Sequence, residues 1–532
     1  MTACLLAFAL LFIAPVSPAA ATDTVPVPVL NWQPCPSSLQ AGFQCATAQV
    51  PIDYAAPKAG SFALALIKHP AQDQANRIGT LFWNPGGPSD AGTQYLPAAI
   101  NGFPQQVRSR FDIISWDPRG MGGGTRPVVQ CFDSEAQETQ AMDQLLGGIP
   151  NIPTSSADLV RLFKARETLN QDCVSHAGSL LAHVSTADNA LDLDLLRQAV
   201  GEAKINYYGT SYGTFLGATY LNLFPQSVRA AVLDGAVAPT AWAANGNDDP
   251  RLSTFVRVGS DFGASDTMTA FMLACGTAGT SGCAFADQTP DATVQKWHTL
   301  LDRLQANPVT IDGQSIDDTG VIAYFQSSIY TIHPVPGFGR FPGYVAVAEF
   351  LQTVRQASDA GGQASAGVTS ASSTQASATI TAPAASTTYI TSYGRQAAVI
   401  CGESPNPETV SGYVRQARKS FRRAGLSPWP FAAICLGWSA KAANPYFGPW
   451  KAPTPPVLVV GNTFDPATPY ASSQRMAREL FNGHFLTVDG FGHTELLNTS
   501  RCAQDYIAAY LINGTLPPEG ARCAQDYAPF SQ

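Results

Sequence analysis

The chain is 532 residues long, 45% of them hydrophobic and 13% charged, with a formal net charge of −8. That apolar content excludes a mostly disordered polymer, and an acidic balance without a basic run argues against nucleic acid and anionic membrane surfaces as partners. The length admits one large domain carrying an insertion, or two to three smaller domains.

In chain order, the first segment is "MTACLLAFALLFIAPVSPAAATDT". Its apolar core from Cys4 to Ala14, followed by Ala19-Ala20-Ala21, predicts an export signal over residues 1–21. The run is too short to span a bilayer, which takes about 20 apolar residues, and no later run is long enough. The mature chain is therefore expected to be exported, to a periplasm or the outside, without stable membrane insertion. Of the 11 cysteines, Cys4 lies in the signal. The other ten suggest five bridges, Cys35–Cys45, Cys131–Cys173, Cys275–Cys283, Cys401–Cys435 and Cys502–Cys523, with buried free thiols as the alternative. No clustered Cys/His pattern marks a metal site, so no metal or cofactor is expected.

Residues 42–69 read as two strands joined by a Pro/Gly/Lys turn. "IGTLFWNPGGPSDAG" is a short apolar strand running into the loop Asn84-Pro85-Gly86-Gly87-Pro88, and "FDIISWDPRGMGGG" repeats the style with Asp117-Pro118-Arg119-Gly120. "STADNALDLDLLRQAVG" predicts a helix capped by Ser185 or Thr186 and stopped at Gly201. "INYYG" is a strand, 214–224 a helix and "RAAVLDGAV" another strand. Short apolar strands alternating with helices predict a mostly parallel sheet covered on both faces. From about 241 to 440 the rhythm turns irregular and helical, and a Ser/Ala/Thr-rich tract over 358–388 has linker composition. "PPVLVVGNTFDPATP" and "GHFLTVDGFGHTEL" then restore the strand–loop–helix alternation. The expected organisation is one sheet domain, 27–240 and 441–532, interrupted by a cap insertion over 241–440.

The segment "INYYGTSYGTFLGATY" holds the pattern Gly-x-Ser-x-Gly, with Gly209, Ser211 and Gly213. At a sharp strand-to-helix turn, glycines relieve crowding and the central serine hydroxyl is held out at the carboxyl edge of the sheet. A serine nucleophile needs a base, and the base needs an orienting acid. Asp465, after "VLVVGNTF", and His493, after "FLTVDGFG", follow Ser211 in the chain order of the hydrolase sheet, each at a strand end. Acyl transfer also needs fixed N–H groups for the developing oxyanion, and the amides of Tyr212 and of Gly86 or Gly87 are the candidates.

Taken together, "NPGGP", "WDPRGMG", "YYGTSYGT", "VLDGAV", "VLVVGNTFDPATP" and "GFGHTE" resemble the tripeptidyl aminopeptidase and proline iminopeptidase group of secreted α/β-hydrolases. The resemblance runs from about Trp32 to Cys523 and is weakest over 240–390. It implies an α/β-hydrolase fold with a large, mainly helical cap, and a serine exopeptidase acting on peptides with a free N-terminus. Ser211, Asp465 and His493 match the family's triad. Glu403, in "AVICGESPNP", matches an acidic position associated with the segment after the cap and is a candidate for the substrate ammonium, with Asp248 and Asp249 as others. The glycine loop departs from the family's usual Gly-Gly-Pro-Gly, since Ser89 and Asp90 follow Pro88. The enzyme is expected to act as a monomer. An esterase or lactonase would use the same three residues, and a catalytically silent binding protein on a hydrolase scaffold is the alternative from another class. Asn498 and Asn513 head N-x-S/T patterns, glycosylated only in a host with that machinery.

Overall fold

The computed structural model describes residues 24–531 apart from 151, 154, 336–340, 362 and 365–388. The signal segment expected over 1–21 and most of the Ser/Ala/Thr-rich tract lie outside the described residues.

The strands are β1 (Gln33–Pro34), β2 (Gln44–Pro51), β3 (Ser61–His69), β4 (Gly79–Asn84), β5 (Phe111–Trp116), β6 (Ile205–Thr210), β7 (Val228–Asp234), β8 (Val309–Ile311), β9 (Gln314–Ile316), β10 (Gln363–Ala364), β11 (Val457–Phe464), β12 (Gly483–Phe491) and β13 (Arg522–Ala524). Among the described residues, ten of them form one sheet in the order β1-β2-β3-β5-β4-β6-β7-β11-β12-β13. The pairs from β1 to β5 are antiparallel, and every pair from β5 to β13 is parallel. β4 and β6 are buried at every residue, which is why they read as unbroken apolar runs rather than alternating ones.

Alternation along the strands splits the sheet's packing between two faces. Phe82, Ile114, Tyr207, Leu233 and Val459 pack with the helices Thr186–Ala199 and Tyr212–Leu223, while Leu81, Ile113, Tyr208, Val232 and Val460 pack with Leu96, Val107 and Ile507 on the other side. The helix predicted over 185–201 runs Thr186–Ala199. Ser185 is its N-cap in a reciprocal capping box with Asp188, and Gly201 follows at φ 75°.

Between β7 and β11 lies a mainly helical region with the small sheet β10-β8-β9. Its core joins Phe271, Trp297, Phe325, Tyr344 and Leu351. Two segments cross the boundaries drawn from sequence. Leu159, Leu162 and Phe163, on the helix Ser156–Ala177, pack into this cap core rather than onto the main sheet. Conversely Ala397–Cys401, on the helix Arg395–Glu403, belong to the main core beside Phe215 and Trp242. Helix periodicity announces an apolar face but not the surface it will cover.

Disulfides join Cys35–Cys45, Cys131–Cys173, Cys275–Cys283, Cys401–Cys435 and Cys502–Cys523. Such a set fits an oxidising, extracytoplasmic compartment. Among the described residues no helix is long and apolar enough to cross a membrane, and no cluster of His, Cys, Asp and Glu is arranged to hold a metal ion.

Candidate active site

β6 ends at Thr210 and the helix Tyr212–Leu223 begins two residues later, so Ser211 carries the whole reversal. It does so at φ 56° and ψ −127°, a conformation costly for a residue with a Cβ and one that persists only where the surroundings enforce it. The enforcing contacts are visible. Ser211 N donates to Asp234 O at 3.0 Å, and Thr214 N and Oγ1 donate back to Ser211 O at 2.9 and 2.6 Å. The flanking glycines answer to crowding. A Cβ on Gly209 would lie 2.3 Å from Gly213 O, and one on Gly213 would lie 2.5 Å from Asn84 O. The Gly-x-Ser-x-Gly pattern is thus a steric requirement of this turn, and the turn leaves Ser211 partly exposed while its neighbours are buried.

Asp465 and His493 follow the ends of the adjacent parallel strands β11 and β12, and β7 alone separates β11 from β6. His493 Nδ1 lies 2.9 Å from both Asp465 oxygens. Asp465 also accepts from Ala467 N and Thr468 N at 2.9 Å, from Thr468 Oγ1 at 3.0 Å and from Thr494 N at 3.3 Å. A carboxyl group fixed by that many donors holds the imidazole in place through its Nδ1. Among the described residues neither Ser211 Oγ nor His493 Nε2 makes a hydrogen bond. Such bonds commonly tighten only when substrate is bound.

The His493 loop is braced from below and above. Buried Asp234, at the end of β7, accepts from Glu495 N at 2.8 Å, Leu496 N at 2.9 Å and Tyr208 Oη at 3.1 Å. Burial pushes its carboxyl up to about 6. Burial, with Asp234 adding to it, raises the Glu495 carboxyl well above the usual range, and its Oε2 has no hydrogen-bond partner among the described residues. From the cap side, His493 N donates to Tyr330 O at 2.7 Å, and the Tyr330 ring meets the imidazole edge to face. Asn498 ties these parts together. Its Nδ2 donates to Tyr330 O, His493 O and Thr494 O at 3.0 to 3.1 Å, and its Oδ1 accepts from Ile332 N at 3.0 Å. This corrects the sequence expectation at Asn498. At 1% exposure its amide is closed to glycosylation, whereas Asn513 is exposed. The N-x-S pattern concealed a residue that positions the histidine loop, and nothing local in the sequence signals its burial.

The glycine loop after β4 lies against the serine turn. A Cβ on Gly86 would fall 2.9 Å from Ser211 Cβ and 3.1 Å from Tyr212 N. Tyr212 N–H is the first amide of its helix and has no acceptor within that helix. Gly86 N–H is committed to Asn84 Oδ1 at 3.1 Å, and Asp90 N donates to Gly86 O at 3.3 Å.

The acidic candidates are all engaged. Glu403 is 5% exposed. It accepts from Thr186 N at 2.7 Å, Thr186 Oγ1 at 2.5 Å and Trp242 Nε1 at 2.9 Å. Burial pushes its carboxyl up to about 7. Thr186 Oγ1 in turn meets Tyr212 Oη at 2.6 Å, so Glu403 is linked through Thr186 to the residue that follows Ser211. Asp248 pairs with Arg475 and Asp249 with Arg251.

A family described as TAP-like protein matches residues 428–523, and the alpha/beta hydrolase fold family matches residues 81–258. The serine protease Hip1 of Mycobacterium tuberculosis is 30% identical over 526 residues, covering 93% of this chain and 91% of its own. The chain belongs to the TAP-like α/β-hydrolase family. Within the family, the tripeptidyl aminopeptidase of Streptomyces lividans is 27% identical over 521 residues, covering 94% of this chain and 87% of its own. Carboxylesterase B of Mycobacterium tuberculosis is 29% identical over 494 residues, covering 90% and 86%. The protein is a hydrolase of the α/β fold.

Proposed function

We propose that this hydrolase is an exported serine exopeptidase that removes short peptides or single residues from free N-termini through an acyl-enzyme. One observation carries the reading: the His493–Asp465 hydrogen bond sits at the same sheet edge as a strained serine turn, with one strand between them. In this mechanism His493 Nε2 takes the proton of Ser211 Oγ, which attacks the scissile carbonyl carbon. Asp465 stays ionised and holds Nδ1–H, stabilising the imidazolium. The carbonyl oxygen, now anionic, moves between Tyr212 N–H and the amide of Gly87, because Gly86 N–H is already spent on Asn84. His493 returns the proton to the leaving amine, and water repeats the sequence on the acyl-enzyme. The cap between β7 and β11 restricts entry to chain ends, and names among the relatives, tripeptidyl aminopeptidase and serine protease, support a peptide substrate.

Esterase action uses the same groups, and the relative named carboxylesterase favours keeping it as the second reading. Incubation with a mixture of short peptides, free and N-acetylated, read by mass spectrometry, separates the two. Exopeptidase action releases fragments from the free peptides and spares the acetylated ones. Hydrolysis of p-nitrophenyl butyrate with every peptide left intact selects the esterase.

A further inference from the structure

The helix Arg395–Glu403 begins immediately beside the loop assigned above to the oxyanion, and its second residue reaches that loop. Gln396 Nε2 donates to Gly87 O at 2.6 Å. The start of this helix is itself held from several sides. Gly394, at φ 85°, packs onto the Cys131–Cys173 disulfide so closely that a Cβ there would lie 2.2 Å from Cys131 Sγ. Arg395 donates to Met121 O, and through Nε to Thr391 O at 2.6 Å. The preceding turn is bound to Glu138, which accepts from Tyr393 N at 2.7 Å and from Ser392 N at 3.1 Å. The Ser392 and Tyr389 hydroxyls, which also donate to it, together with those amides hold the Glu138 carboxyl below its ordinary value despite its burial. Gln396 therefore projects from a fixed platform.

Gly86 and Gly87 stand at φ 106° and 103°, in backbone territory that glycine samples freely, so the direction of each peptide plane is set by its bonds. In a trans peptide the C=O and N–H point opposite ways. Asp90 N holds Gly86 O, which fixes the peptide plane carrying Gly87 N–H, while Gln396 holds the next carbonyl. These are two anchors on either side of one amide.

We propose that Gln396 is a positioning residue for the oxyanion loop, and that its bond to Gly87 O keeps Gly87 N–H aimed at the developing oxyanion. This rests on the serine-hydrolase reading above. It predicts a loss in the chemical step rather than in substrate capture, because the amide matters most once negative charge forms.

The test compares the full-length wild type with Gln396→Ala and with Gln396→Met, which keeps the volume but donates nothing. The readouts are the rate of active-site labelling by a fluorophosphonate, kcat and KM on p-nitrophenyl butyrate normalised to titrated sites, and the melting temperature. The expected result is a fall in labelling rate and kcat of roughly tenfold or more, KM within about twofold and near-native melting for at least Gln396→Met. Labelling rate and kcat at wild-type values in a folded variant would overturn the role of Gln396 and leave the nucleophile assignment standing. A loss confined to KM, or one that tracks only the folded fraction, would also overturn it. Failure of the wild type to label at Ser211 would instead remove the reading on which the proposal rests.

Discussion

Replacing Glu403 by glutamine removes a titrating group while keeping its shape, and the structure dictates the pH signature of that change. The carboxyl is raised from 4.5 to about 7 by burial, so the folded protein holds a proton that the unfolded chain would release. A raised carboxyl contributes stability that is fully present below about 4.5 and is lost as pH climbs to about 7. By linkage the loss is about 3 kcal/mol by pH 8. Glutamine does not titrate, so the variant loses none of it. It does set one NH2 against either Thr186 N–H or Trp242 Nε1–H, a cost of about 1–3 kcal/mol that is the same at every pH. The variant is thus less stable than wild type at pH 5, and the gap closes or inverts by pH 8. Asp117 and Asp234, each raised to about 6 by burial, impose the same slope on both proteins and cancel in the difference. Urea unfolding followed by tryptophan fluorescence at pH 5, 6, 7 and 8, disulfides intact, measures it. Stability curves for the two proteins that stay parallel across this range would refute the reasoning.

Asp465→Asn leaves the turn at Ala467 and Thr468 largely in place but loses the orientation of His493, so kcat on a peptide anilide falls about 10⁴-fold with KM little changed. Gly213→Ala forces a methyl group to within 2.5 Å of Asn84 O and lowers stability by about 1–3 kcal/mol, read as a drop in the urea midpoint. Removing the Cys131–Cys173 bridge by double serine substitution frees a 42-residue separation and costs about 4 kcal/mol on the chain-entropy scale, measured by the same titration. Expressed in a glycosylating host, the protein carries glycan at Asn513 and none at Asn498, as glycopeptide mass spectrometry will report.

The parts of the fold that sequence made readable are those whose signals are local. β4, β6 and β11 are sandwiched between helices, so they stand out as short apolar runs ending in Gly- and Pro-rich loops, and Ser185 caps its helix through residues three apart. Ser211, Asp465 and His493 each fall at such a strand end, which is why their order along the chain carried information. The rest depends on tertiary choices. Nothing near Leu162 or Phe163 says that their helix turns toward the cap, and nothing near Ala397–Cys401 says that theirs returns to the sheet. Glu403 was visible as an acid in a telling context, but its burial comes from Thr186 and Trp242, 217 and 161 residues away. The burial of Asn498 is not legible in its N-x-S pattern because its partners, Tyr330 and Ile332, arrive from the cap.

Intact-protein and peptide-level mass spectrometry after fluorophosphonate treatment puts the central claim under the most direct test. A hydroxyl activated by the imidazole that Asp465 orients takes up one adduct, on the peptide containing Ser211, lost in Ser211→Ala and slowed by orders of magnitude in His493→Ala. Folded wild-type protein that takes no adduct, or takes it on a different residue, contradicts the account.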